Sequence, residues 1–308
     1  MMPLRAASIA LFLLALAAAP APAAQAPQPR LTAAGAVPSA GPPPGYRDPV
    51  AGKRKVLFVA DLATGVPTAH DWSASRAAAV LQQIGHDSGA YELYIQTTTQ
   101  LVTKARDAAA GRSRTRNLDD FDAVVFFTNG DLTMNGEQLK DLLSFVADDG
   151  KGFVGIHTAT VTLTKHPEYG AMLGAFFDNH PWGVTTAPLI VEDAGNPAMA
   201  KFLPGQTVTD EFYQMKAPYD RARLRVLARL DTSHLDLHNP NVHRSDGDFP
   251  IAWVRRHGKG RVFYSALGHT VDSWDDYRVR AMYLEGIRFA LGDVVMDTTP
   301  QPLPAAGN

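Results

Sequence analysis

Four histidines stand beside small or acidic residues where strands or helices are expected to end: His70, His157, His180 and His269. His157 lies in Gly155-Ile156-His157-Thr158-Ala159. That run has the layout of a nucleophile elbow, Gly-x-nucleophile-x-small, with an imidazole where a hydroxyl or thiol would stand. Asp71 adjoins His70, Asp131 follows a strand-like run, and Asp210-Glu211-Phe212-Tyr213 adds two carboxylates and a phenol. Imidazoles and carboxylates together bind a divalent metal or serve as general acid and base. Trp182 and Trp253 offer aromatic faces suited to the C–H faces of a sugar ring. Asp210 and Glu211 are neighbours, and on a strand their side chains point to opposite faces, so they do not make the opposed carboxylate pair of a glycosidase.

Plainer readings stand beside these. A single histidine at a strand end is commonly a hydrogen-bonded structural residue, and Trp253 alternates with Ile251 as a core residue would. His86 and His166 read as helix-end residues, and His234, His238 and His243 as part of a polar loop over 231–248. No H-E-x-x-H, Walker or G-x-G-x-x-G spacing occurs.

The elements that must position these groups alternate. Continuous apolar runs at 54–60, 91–96, 121–128 and 153–157 predict buried strands. After the first strand comes a loop carrying Thr68, His70 and Asp71, then a helix capped by Ser73 and running to Ile84. Leu139, Leu142, Leu143 and Val146 put an amphipathic helix over 137–147. Such alternation implies right-handed crossovers and a mostly parallel sheet flanked by helices. The second half adds strands at 189–191, 224–230, 249–254 and 261–266, the last two joined by a tight hairpin, and a closing helix over 276–291. An α/β fold with an antiparallel C-terminal portion is the expectation.

Arg5, the apolar run over 6–19 and Ala21-Pro22-Ala23-Ala24 read as a secretory signal peptide over residues 1–24. An Ala/Pro-rich flexible leader follows over 25–52, then one α/β domain over 53–293 and a disordered tail over 294–308. The expected location is outside the cytoplasm, in a bacterial periplasm, without a membrane anchor. The chain has no cysteine, which removes a lipid-anchor site, disulfides and any thiol nucleophile. Lys plus Arg number 29 against 31 Asp plus Glu, which points to neither nucleic acid nor an anionic membrane as partner. The basic run over 104–116 reads as a solvated loop.

The runs GFVGIHTAT, PEYGAMLGAFFDNHPW, DEFYQ, FPIAW, GKGRVFYSALGH and GIRFALG occur in one order between Val56 and Gly292. In these the chain resembles the trehalose-utilisation (ThuA-like) family. The resemblance implies the flavodoxin-like fold of class I glutamine amidotransferases. It also implies a role in the use of trehalose and related glycosides, including steps that handle 3-keto-sugars. With His157 at the position of the superfamily's cysteine, amidotransferase activity is excluded. Val161 and Gly183 depart from the family pattern, which often has Asp and His there.

Carried over by motif, the pocket holds His157, His180, Glu211 with Asp210 and Tyr213, and His269, with His70-Asp71 after the first strand. The expected assignment is His157, Glu211, Asp210 and Tyr213 to catalysis. His70, Asp71, Asp131, Trp182 and Trp253 are assigned to a small-molecule carbohydrate, and His180 with His269 to a divalent metal. Two functions stay open: a keto-sugar isomerase, lyase or hydrolase, or a sugar-binding module without catalysis.

Overall fold

The computed structural model describes residues 50–61, 70–105 and 116–304. The expected signal peptide, the leader up to residue 49, Thr68 and most of the basic run lie outside the described residues. The elements are β1 (Lys55–Val59), α1 (His70–Ser88), β2 (Glu92–Gln96), β3 (Ala123–Phe126), α2 (Gly136–Ala147), β4 (Gly152–Ile156), α3 (Pro167–Leu173) and β5 (Phe176–Asn179). There follow β6 (Val184–Val191), β7 (Thr207–Glu211), β8 (Gln214–Lys216), β9 (Arg225–Leu230), β10 (Pro250–His257), β11 (Gly260–Ser265), α4 (Val271–Asp275) and α5 (Tyr277–Leu291).

One sheet runs β2-β1-β3-β4-β11-β10-β9-β6-β7, and β5 pairs with β8 apart from it. The first five strands are parallel and the remaining pairings antiparallel. With β11 in fifth place, the parallel half has the 2-1-3-4-5 order of flavodoxin-like folds. Both the parallel core and the antiparallel addition expected from the sequence are present.

The apolar runs become strands because the sheet is covered on both faces, leaving no side for polar residues. Val56, Phe58, Val154 and Ile156 pack with Ala77 and Leu81 of α1 and Met282 and Ile287 of α5. Leu57, Val59 and Phe153 face the other way, onto Leu142 and Phe145 of α2 and Met172 of α3. Asn135 and Gln138 form a reciprocal capping box at the start of α2. Asp276 caps α5, and Gly292 ends it in the left-handed conformation.

Two expectations are corrected. Helix α1 starts at His70, so Ser73 is no cap. Its buried hydroxyl donates instead to the Gly268 carbonyl, a tertiary bond that a local capping signal cannot distinguish from an N-cap. Nor is the tail loose through residue 304. Met296 is buried, and Gln301 Nε2 donates to the Val226 carbonyl at 3.0 Å. This stretch lacks regular secondary structure but is laid along the domain.

Candidate functional site

His157 comes directly off the carboxyl end of β4 with φ of +44°, a left-handed conformation that costs a non-glycine residue about 1–2 kcal/mol. The surroundings hold it there. Its carbonyl accepts from Tyr264 Oη at 2.8 Å and Thr160 Oγ1 at 3.1 Å. A Cβ at Gly155 would lie 2.8 Å from Leu173 Cδ1, so glycine lets the turn pack against α3. His157 Nδ1 is 2.7 Å from the Ala266 carbonyl, which can only accept. The neutral ring therefore carries its proton on Nδ1 and presents the Nε2 lone pair.

That lone pair faces three other side chains. His157 Nε2 lies 2.6 Å from Tyr213 Oη, 3.3 Å from His269 Nδ1 and 3.5 Å from Glu211 Oε2. His269 Nδ1 lies 3.1 Å from His70 Nε2 and 3.4 Å from Glu211 Oε2. The helix α1 start, the ends of β4 and β7, and the loop after β11 thus each send one donor, and the four lie within 4.8 Å of one another.

Beneath them, buried Asp210 accepts from the backbone N–H groups of Gly268 (2.7 Å), His269 (3.0 Å) and Glu211 (2.8 Å), and from the Ser273 hydroxyl. Burial, then the neighbouring imidazoles, pushes His70 down to about 4. Burial and His157 also lower His269. Burial pushes the Glu211 carboxyl up, but the surrounding histidines outweigh it and hold it below the usual range. Burial, reinforced by Glu211, raises Tyr213 well above an ordinary phenol. At neutral pH His70 and His269 are uncharged bases beside an anionic carboxylate, a donor set that fits a divalent cation. Metal–ligand bonds of about 2.0–2.2 Å put neighbouring donors roughly 3.0–3.4 Å apart, and four of the pairs here stand at 3.1–3.5 Å.

Residues 59–290 match the sequence profile of ThuA, described as trehalose utilisation. The chain belongs to the ThuA family. Solved structures of similar fold include a putative ThuA-like protein from Bacteroides uniformis, with TM-score 0.60 and 19% identity over 80% of this chain and 95% of that one. Another, from Parabacteroides merdae, has TM-score 0.54 and 18% identity over 82% and 93% of the two chains. No curated protein sequence matches the chain. ThuA membership gives the chain a sugar-related role, and at these identities the structural likeness shows the fold alone. No helix among the described residues is long and apolar enough to cross a membrane.

In this ThuA protein the fold brings some of the expected site residues together and leaves others apart. His180, expected with His269 as a metal ligand, stands outside the four donors. Its half-exposed Nδ1 is 3.8 Å from the other oxygen of Glu211. His157 and Glu211, expected as acid and base, lie inside the cluster with His70. Asp210 faces backbone donors below the site. Trp253 is fully buried, stacked 4.1 Å from Tyr264, with its N–H on the Leu173 carbonyl, so it fills core and cannot touch a sugar. Asp131 is exposed and pairs with Lys165 at 2.7 Å. Asp71 is exposed and lines a different cavity, of about 690 Å³, with Thr97 and Thr98. Trp182 lies on Phe249, its indole N–H bonded to the Asp236 carbonyl.

Sequence reasoning missed the Ala266 carbonyl and the Ser273 hydroxyl and took Ser73 for a helix cap, although all three orient the cluster. It also missed the pair of Asp178 and His243 at 2.7 Å, whose partners are 65 positions apart.

Proposed function

We propose that this ThuA-family protein is an exported carbohydrate-active enzyme acting on a glycoside or its 3-keto derivative by metal-assisted acid–base chemistry. One observation carries the reading. Three imidazoles and a carboxylate from four elements converge at the carboxyl end of a flavodoxin-like sheet, with a half-exposed imidazole beside them. Export rests on the signal-peptide pattern of residues 1–24.

Beside a ring ketone, a C–H proton is acidic enough for an imidazole or carboxylate to remove. The resulting enediolate collapses by reprotonation on the other carbon, giving an isomer, or by expulsion of the glycosidic oxygen. A divalent cation at the cluster supplies polarisation of the ketone and stabilises that negative charge. His70, His157, Glu211 and His269 hold the site. His180, exposed and outside the set of four, takes the proton in this reading. Tyr213 Oη is the donor nearest the cluster.

The test is an NMR time course of the purified protein with trehalose and with 3-keto-trehalose. Product from the keto-sugar alone, lost in His180→Ala while the sugar still binds, is the expected result. Product from trehalose itself would make the protein a hydrolase and overturn the enediolate route. Binding of either sugar with no turnover would make it a binding module.

A further inference from the structure

We infer that the cluster of His70, His157, Glu211 and His269 is built for a first-row divalent ion that takes five or six ligands, of the Mn²⁺, Fe²⁺, Co²⁺ or Ni²⁺ class. The coordination left open is where the ketone oxygen and an adjacent hydroxyl of the substrate bind together. This adds the metal class and binding mode to the site described above, and it rests on the reading of that site as the place of reaction.

The first reason is the way the nitrogens meet. His157 has its proton committed to the Ala266 carbonyl, so only a lone pair is left at Nε2. His269 Nδ1 then faces two imidazole nitrogens, at 3.3 and 3.1 Å, with one proton or one lone pair to offer. One proton cannot serve both contacts well. If His269 Nδ1 is unprotonated, lone pair meets lone pair at His157, beside the Glu211 carboxylate. A cation at the centre lets His157, His269 and His70 all direct lone pairs at one point, which a single shared proton cannot do.

The second reason is the donor count. Four protein donors fill a tetrahedral zinc ion and leave it closed, whereas catalytic zinc keeps an open position beside three protein ligands. This cluster is not sealed as a structural site would be. His269 and Glu211 keep 13% and 11% side-chain exposure, and half-exposed His180 adjoins them. A four-donor site that opens to solvent suits an ion with room for more ligands.

Donor type narrows the choice further. Three imidazoles argue against Mg²⁺ and Ca²⁺, which take oxygen ligands, and no thiolate is present for a softer ion. Shape agrees. Glu211 Oε2 is within ion-pair distance of His157 and His269 but not of His70, although all four donors fall within 4.8 Å. A tetrahedron has no such distant pair, since all its edges are about 3.4 Å. Donors on opposite sides of a six-coordinate ion do stand farther apart.

A metal with two adjacent open positions is matched by a ligand with two adjacent oxygens. A 3-keto-sugar has a hydroxyl on each carbon flanking its carbonyl, so carbonyl and hydroxyl oxygens close a five-membered chelate ring. The chelated C–H is the one whose proton must leave.

The test uses the full purified chain, stripped with a chelator and reloaded with cobalt(II). We expect one cobalt per chain with the weak visible absorption of five- or six-coordination, and a changed spectrum when 3-keto-trehalose is added in place of trehalose. Glu211→Gln and His157→Ala should each weaken cobalt binding by about 100-fold or more, beyond the 10–100-fold typical of outer-shell changes. His166→Ala, half-exposed and outside the cluster, should leave it unchanged, and thermal melting checks that each variant is folded. An intense tetrahedral cobalt spectrum overturns the inference, as does cobalt binding that survives both ligand substitutions. Keto-sugar turnover by the stripped protein also overturns it, and leaves of the proposed function the acid–base reaction on the keto-sugar without the metal assistance. High-coordinate cobalt without turnover of any keto-sugar supports the metal class and removes the proposed function instead.

Discussion

Tyr213 and a cation want the same atom. Tyr213 Oη is 2.6 Å from His157 Nε2, closer than any other cluster member, and its ring lies 4.3 Å from the imidazole. Because the Nδ1 proton is fixed on Ala266, the phenol donates to Nε2, the lone pair a metal would use. Loading the site must release the phenol, which is then free to donate to an oxygen of the substrate. Tyr213→Phe removes the competitor, a hydrogen bond worth about 1 kcal/mol net, so metal affinity should rise about fivefold. Turnover should fall by about 10²–10⁴, the usual loss when a positioned proton donor is removed. Calorimetric metal titration beside a turnover assay checks both. Weaker metal binding in this variant would mean that the phenol oxygen is itself a ligand.

Among the elements, Asp210 fixes how β7 meets the loop after β11. Its four accepted bonds join the backbone of Glu211, the backbone of Gly268 and His269, and Ser273 in α4. The Gly268 carbonyl in turn accepts from Ser73, which holds α1 and with it His70. Asp210→Asn places an amide donor among backbone donors and leaves at least one N–H without its acceptor. We expect a loss of about 1–3 kcal/mol in stability and about 10–100-fold in metal affinity, read by thermal melting and by metal titration. The sequence showed only part of this. The strands KVLFV, AVVF and GFVGI are legible because a sheet covered on both faces demands unbroken apolar runs. TVTDE and QMK, which form β7 and β8, have no such run, so Asp210-Glu211 reads as readily as a solvated turn. The start of α1 was displaced for a related reason, since Ser73 spends its hydroxyl on a residue 195 positions away.

Across the whole molecule, the site is assembled from residues as far apart as His70 and His269, so no local spacing announces it. Only the elbow at His157 could be read from its neighbours, and the grouping of His70, His157, Glu211 and His269 with His180 at its edge needed the folded chain. That assembly also couples the site to stability. The folded pKa of His70 is about 4, against about 6.5 for a histidine in an unfolded chain. Between those values the unfolded chain holds more protons, so stability rises with pH there. The contribution is complete above about pH 6.5 and is lost as pH falls toward 4. His269, also lowered by burial, adds to the same slope, whereas Asp210, raised by burial, works against it. The metal-free protein should therefore lose melting temperature steadily from pH 6.5 down to 4, and His70→Gln should flatten that slope. A cation binds only the unprotonated imidazoles, so the loaded protein should be more stable than the stripped one, and its loss of stability below about pH 6.5 should be at least as steep and continue until the cation is released. An equal slope in His70→Gln and the parent chain would show that His70 is not buried as a neutral base, and the cluster would lose one of its four donors.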